Sequence, residues 1–151
     1  MFHRILVAVD SSPARHSAVR TVGELARITG ATVSVLHVMA TAAELAAVVP
    51  LESDAEAGDV LDEAIAALRD VGVSAGGTLA NAPTTKVSAA ISSAAAEFQA
   101  DLLVLSPHQH GLFGALFNPP VSDAVVHGSR IPVLLTPRIG GNDRRREGPR
   151  G

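Results

Sequence analysis

The sequence contains no cysteine, tryptophan or tyrosine, and only four of its 151 residues are phenylalanine. Without cysteine there can be neither a disulfide framework nor a thiolate metal centre, which fits a reducing compartment. Aromatic residues make up 3% of the chain, too few for the stacking platforms that read single-stranded nucleic acid. Long apolar runs are missing as well, since none reaches the roughly 18–20 residues needed to cross a bilayer. The N-terminus MFHRILVAVD enters a strand at once, with no basic-then-apolar leader ahead of it. These absences lead to the expectation of a cytoplasmic protein that partners neither membrane nor nucleic acid.

Positive charge is scarce everywhere except at the C-terminus. Residues 138–151 hold Arg138, Arg144, Arg145, Arg146 and Arg150 against Asp143 and Glu147, whereas the rest of the chain has seven basic and thirteen acidic residues. An acidic body argues against a nucleic-acid surface. The tail GGNDRRREGPRG has nothing to bury and is expected to be disordered. The expected organisation is one folded domain over 1–137 and a basic tail over 138–151.

What is present is a repeated switch between two hydrophobic periods. Ile5 to Val9 is a continuous apolar run closed by Asp10, short and rich in β-branched residues, as in a strand buried on both faces. Ser11, Ser12 and Pro13 then read as a helix start with a hydroxyl cap, and the helix runs to Thr29 before Gly30. Further strands are expected at 32–38, 73–79, 101–106 and 131–136, with an Ala-rich connection from Met39 to Pro50. Helices are expected from Ser53 or Asp54 to Asp70, from Pro83 to Phe98 and from Pro120 to His127. Strand–helix units of this length make right-handed parallel crossovers, so the fold class is an α/β open parallel sheet with helices on both faces.

Chemistry-bearing residues gather at the strand ends. Asp10 could accept hydrogen bonds from a ribose, hold a metal, or support the following helix start. The loop after Leu105 carries Ser106, His108, Gln109, His110, Gly111 and Gly114, and His37 lies near the end of the second strand. No ligand spacing among the histidines is diagnostic, so no metal is expected. The sequence has no G-x-S-x-G elbow, no Walker A loop, no G-x-G-x-x-G after the first strand and no H-E-x-x-H, so no enzyme is expected.

Four segments in order, ILVAVDSSPARHSAVR, VSVLHV, ADLLVLS and PPVSDAVVHGSRIPVLLTP, resemble the universal stress protein family over residues 2–137. The resemblance implies a Rossmann-like fold of the adenine nucleotide alpha hydrolase-like type, with strand order 3-2-1-4-5. It also implies a stress-response regulatory or interaction protein. ATP-binding relatives carry Gly-x-x-Gly-(nine residues)-Gly-Ser/Thr after the fourth strand, an acid after the first strand that meets the ribose, and backbone after the second that meets adenine. Here the acid falls on Asp10 and the adenine contact on Val38, whereas the glycine motif falls on Ser106, Gln109, Pro119 and Pro120.

Each proline lacks an N–H, so two phosphate donors are missing. Two charge-assisted hydrogen bonds amount to roughly 3–6 kcal/mol, or about two to four decades of affinity. The expectation is therefore a member of the family that does not hold ATP tightly and has no cofactor. The alternative is an altered pocket for ATP or AMP. The resemblance also implies a homodimer through the last strand, at Ile131, Val133 and Leu135, and leaves any protein partner unidentified.

Overall fold

Short runs of Val, Ile and Leu build the sheet, because branched side chains pack well on both faces of a pleated strand. The computed structural model describes residues 1–44, 47–50, 52–106 and 119–137. It contains strands β1 (Arg4–Val9), β2 (Thr32–Glu44), β3 (Ala47–Pro50), β4 (Ala75–Pro83), β5 (Leu102–Leu105) and β6 (Val133–Leu135). The helices are α1 (Ala14–Thr29), α2 (Asp54–Asp70), α3 (Val87–Phe98) and α4 (Pro119–Gly128), and a 3₁₀ turn at Thr84–Lys86 leads into α3.

The parallel strands lie in the order β4-β2-β1-β5-β6. With the antiparallel β3 set aside, this is the expected 3-2-1-4-5 order. Alternation along the strands divides the core into two layers. Ile5, Val7 and Val9 of β1 pack with Val33, Val35, Leu102 and Val104 beneath α1 and α2. Leu6 and Ala8 pack with Leu36, Val38, Leu103 and Leu105 beneath α3 and Val125 of α4. Asp101 ties the N-terminus to the entry of β5, its carboxylate accepting the amide N–H groups of His3 at 2.7 Å and Arg4 at 2.9 Å. Burial works against its charge, but these amide bonds outweigh that and hold its carboxyl below the usual range.

Four expected boundaries are corrected. The stretch from Met39 to Pro50 is a hairpin rather than a connection, since β2 continues to Glu44 and Thr41–Glu44 pairs with Ala47–Pro50. Thr41 pairs with both Pro50 and Pro83, so β3 lies on the β1 side of β2, beyond the end of β1. Alanine has little strand preference and the stretch lacks an Asn-Gly turn signal, so only pairing makes it a strand. β4 is displaced to Ala75–Pro83, and Pro83 ends a strand instead of opening α3. At the first helix, Pro13 precedes Ala14 with no side-chain cap from Ser11 or Ser12. Finally, Ile131 lies outside β6 and packs, like Val133, against the α3–α4 layer.

β4 accepts α2 closely because of Gly77. A Cβ built there would lie 2.6 Å from the Val35 carbonyl oxygen and 2.7 Å from Leu61 Cδ1. The carbonyl belongs to a paired central strand and has little room to move. We expect Gly77→Ala to cost about 1–3 kcal/mol in urea denaturation, while Gly76→Ala, which meets nothing within 4 Å, stays near wild type.

Candidate functional site

The carboxyl ends of β1 and β5 form the switch point of the sheet: α1 leaves β1 toward one face, and α4 follows β5 on the other. Open α/β sheets bind ligands in this crevice. Asp10 stands two residues past Ala8, whose partner is Leu105, and Ser106 stands one residue past Leu105. The fold therefore brings these two sequence-identified residues to the same end of the sheet.

Asp10 is 4% exposed. Its Oδ1 accepts the backbone N–H of Ser12 at 2.9 Å, which shapes the turn into α1. Its Oδ2 is buried with no partner among the described residues. Half of the carboxylate is thus used structurally, and the other half is available to a donor. Ser106 is buried too, and its hydroxyl donates to the Ala14 carbonyl at 3.4 Å. Ser12 and Ser122 contribute buried hydroxyls without partners among the described residues. Neither was read as a site residue, because single serines carry no spacing signal.

His37 acts as an anchor. Its Nδ1 lies 2.9 Å from the Val9 carbonyl and its Nε2 2.5 Å from Glu52 Oε1. Both side chains are almost wholly enclosed, at 2% and 3% exposure. Val9 precedes Asp10, so this chain of contacts runs from the end of β1 through β2 to the residue ahead of the α2 cap. Glu52 had no signal in the sequence beyond its place before Ser53, whose hydroxyl accepts the Glu56 N–H in a capping box. Its second oxygen, Oε2, is also buried without a partner among the described residues. Among those residues no three His, Asp or Glu side chains converge as metal ligands.

Val38 is buried, and its backbone pairs with Ala80 of β4. Pro119 and Pro120 open α4. Because β6 is parallel to β5, α4 must return along the sheet, which puts its N-terminus toward the carboxyl end. Proline is at home in a first helical turn, and here it removes two of the four N–H groups free at that terminus. Gln109, His108 and His110 lie outside the described residues, as does the tail 138–151.

An unpartnered buried carboxylate oxygen costs stability. Asn at position 10 can still accept the Ser12 N–H while shedding the charge. We therefore expect Asp10→Asn to leave the free protein at least as stable as wild type, with a gain of up to about 1 kcal/mol in thermal or urea unfolding. A clear loss of stability would show that the second oxygen has a structural partner.

Comparison with known proteins places this geometry in context. No curated relative matches the chain. Among solved structures, a universal stress protein from Archaeoglobus fulgidus superposes with a TM-score of 0.68 at 24% identity, covering 89% of this chain and 98% of that one. The universal stress protein from Archaeoglobus fulgidus in complex with dAMP gives 0.66 at 23% identity, covering 88% and 96%. A universal stress protein family protein from Arabidopsis thaliana with AMP bound gives 0.58 at 17% identity, covering 88% and 90%. The last two correct the expectation of a protein without a cofactor: proteins of this fold hold adenine nucleotides, so a missing glycine motif is not sufficient ground for excluding one. The family model described as "Universal stress protein family" matches residues 1–137, and the chain belongs to that family.

Proposed function

We propose that this chain is a nucleotide-binding regulatory module that takes an adenine nucleotide, preferably a monophosphate, at the carboxyl end of β1 and β5. The observation that carries this reading is Asp10: buried, half-satisfied, and aligned with the switch point. Its free oxygen suits a ribose hydroxyl, a neutral donor that a buried acceptor requires. The dAMP and AMP complexes of similar proteins support the ligand class.

The preference for one phosphate follows from α4. Pro119 and Pro120 remove two N–H donors, and Ser106 puts a side chain where the motif of ATP-binding relatives has glycine. One phosphate needs fewer donors than three, and the N–H group of Val121 remains free in the first turn of α4. Isothermal titration should show AMP binding at least about tenfold tighter than ATP, with Asp10→Ala weakening AMP at least about tenfold. Replacing Pro119 with Gly and Pro120 with Ser should raise ATP affinity more than AMP affinity. Absence of AMP binding up to about millimolar concentration would overturn the reading.

We also propose that the module works as a homodimer through β6. Among the described residues this strand pairs with β5 alone, and Leu134 and Leu135 are 36% and 46% exposed along it. Pro132, just before it, lacks a ladder donor, as suits an edge. An isologous contact would cover these leucines and the open backbone edge. Sedimentation of the full chain at tens of micromolar should give a dimer and Leu135→Lys a monomer; a monomeric wild type would rule the interface out.

A further inference from the structure

The contacts of His37 fix the chemistry of Glu52. The Val9 carbonyl can only accept, so His37 Nδ1 carries a proton and donates it at 2.9 Å. A neutral ring then has an acceptor at Nε2, and Nε2 lies 2.5 Å from Glu52 Oε1. Two acceptors cannot meet at that distance, so a proton lies between them. If it sits on Nε2, Glu52 is a carboxylate facing an imidazolium. If it sits on Oε1, Glu52 is a neutral acid that donates to the ring. In both states Oε2 is an acceptor, and in both it is buried with no donor among the described residues. The direction of this site does not depend on which partner is charged.

The position of this acceptor gives it meaning. Alternation puts His37 on the side of β2 that faces α1 and α2, and Glu52 lies just ahead of the α2 cap. Asp10 Oδ2, the other unpartnered carboxylate oxygen, follows the Val9 that His37 holds. Two buried acceptors on the β1–β2 side favour N–H and O–H donors over a carbonyl of a base, while Arg15, bound to the Ser11 and Ser12 carbonyls, places a buried Nε donor without a partner among the described residues near Asp10. The base then belongs on the β2 side.

We propose that Glu52, held in place by His37, is a specificity residue that selects a 6-amino purine over a 6-oxo purine; this rests on the nucleotide reading above. The exocyclic amine of adenine donates to Oε2. The 6-oxo group of hypoxanthine presents an acceptor to an acceptor and leaves both unsatisfied, the kind of mismatch that discriminates strongly in a buried site. Asp10 takes the sugar, and His37 does not touch the ligand but fixes the carboxylate that does.

The test compares AMP with inosine 5′-monophosphate, which differs at the 6-position, by isothermal titration of the full chain. Wild type should prefer AMP by at least about tenfold. Glu52→Gln should keep that preference, because its amide NH₂ can donate to His37 Nε2 and leave the amide oxygen where Oε2 was. Glu52→Met removes the acceptor and should bring the two affinities within about threefold of each other. Circular dichroism checks that each variant is folded. Should the Met variant not fold, Glu52→Asp withdraws the carboxylate by one methylene and should erode the AMP preference without weakening the inosine nucleotide. If wild type binds both nucleotides equally, or if the preference survives in folded Glu52→Met or Glu52→Asp, the assignment of Glu52 is overturned while the nucleotide site stands. If wild type binds neither nucleotide, both readings fall.

Discussion

Burial of β1 on both faces and both edges is the constraint on which the rest of the structure depends. Ile5, Val7 and Val9 belong to one core layer, Leu6 and Ala8 to the other, and the strand is paired on one side by β2 and on the other by β5. A strand in this position has no side on which to place a polar side chain. The first polar side chain after it, Asp10, therefore falls at the sheet's end, where the backbone turns away and α1 begins. The position of the candidate site follows from the hydrophobic effect acting on five residues, before any ligand is considered.

The carboxyl end is where the structure leaves polar groups incompletely satisfied. Oxygens of Asp10, Ser12, Glu52 and Ser122 are buried there or on the adjoining helix without partners among the described residues. Buried polar groups in folded proteins are normally paired, so the exception at Asp10, at the switch point of an open sheet, carries functional weight. The groups are not equivalent. The carboxylates on the β1–β2 side are acceptors, whereas on the other side α4 presents N–H groups thinned by two prolines.

The glycine motif illustrates how far a conclusion can outrun a local signal. Pro119 and Pro120 do lack the N–H groups that a triphosphate loop supplies. From that loss alone, exclusion of any cofactor was too broad a conclusion, because it concerns the phosphate and not the nucleoside. Similar proteins that carry dAMP and AMP show that the fold serves ligands with one phosphate.

The strand order was implied by the family resemblance, whereas the strands, the helices and the place of Asp10 were legible in the residues themselves. They depend on local periodicity: alternating or continuous β-branched runs for strands, 3.6-residue spacing for helices, and Gly30 and Ser53 as stop and start signals. The β2–β3 hairpin was not legible, because Ala-rich segments take their structure from the strand they pair with and not from their own preference. The need for Gly77 was hidden as well; as sequence it reads as a weak strand, and only the approach of α2 makes a side chain impossible there. Glu52 was invisible for the same reason. Its partner His37 is fifteen residues away, and the contact exists because β3 and the entry to α2 fold back over the end of β1. The sequence by itself determined which segments are buried, since burial is written in composition and period. Tertiary structure decided which polar atoms meet, because those distances depend on chain reversals that no local pattern encodes.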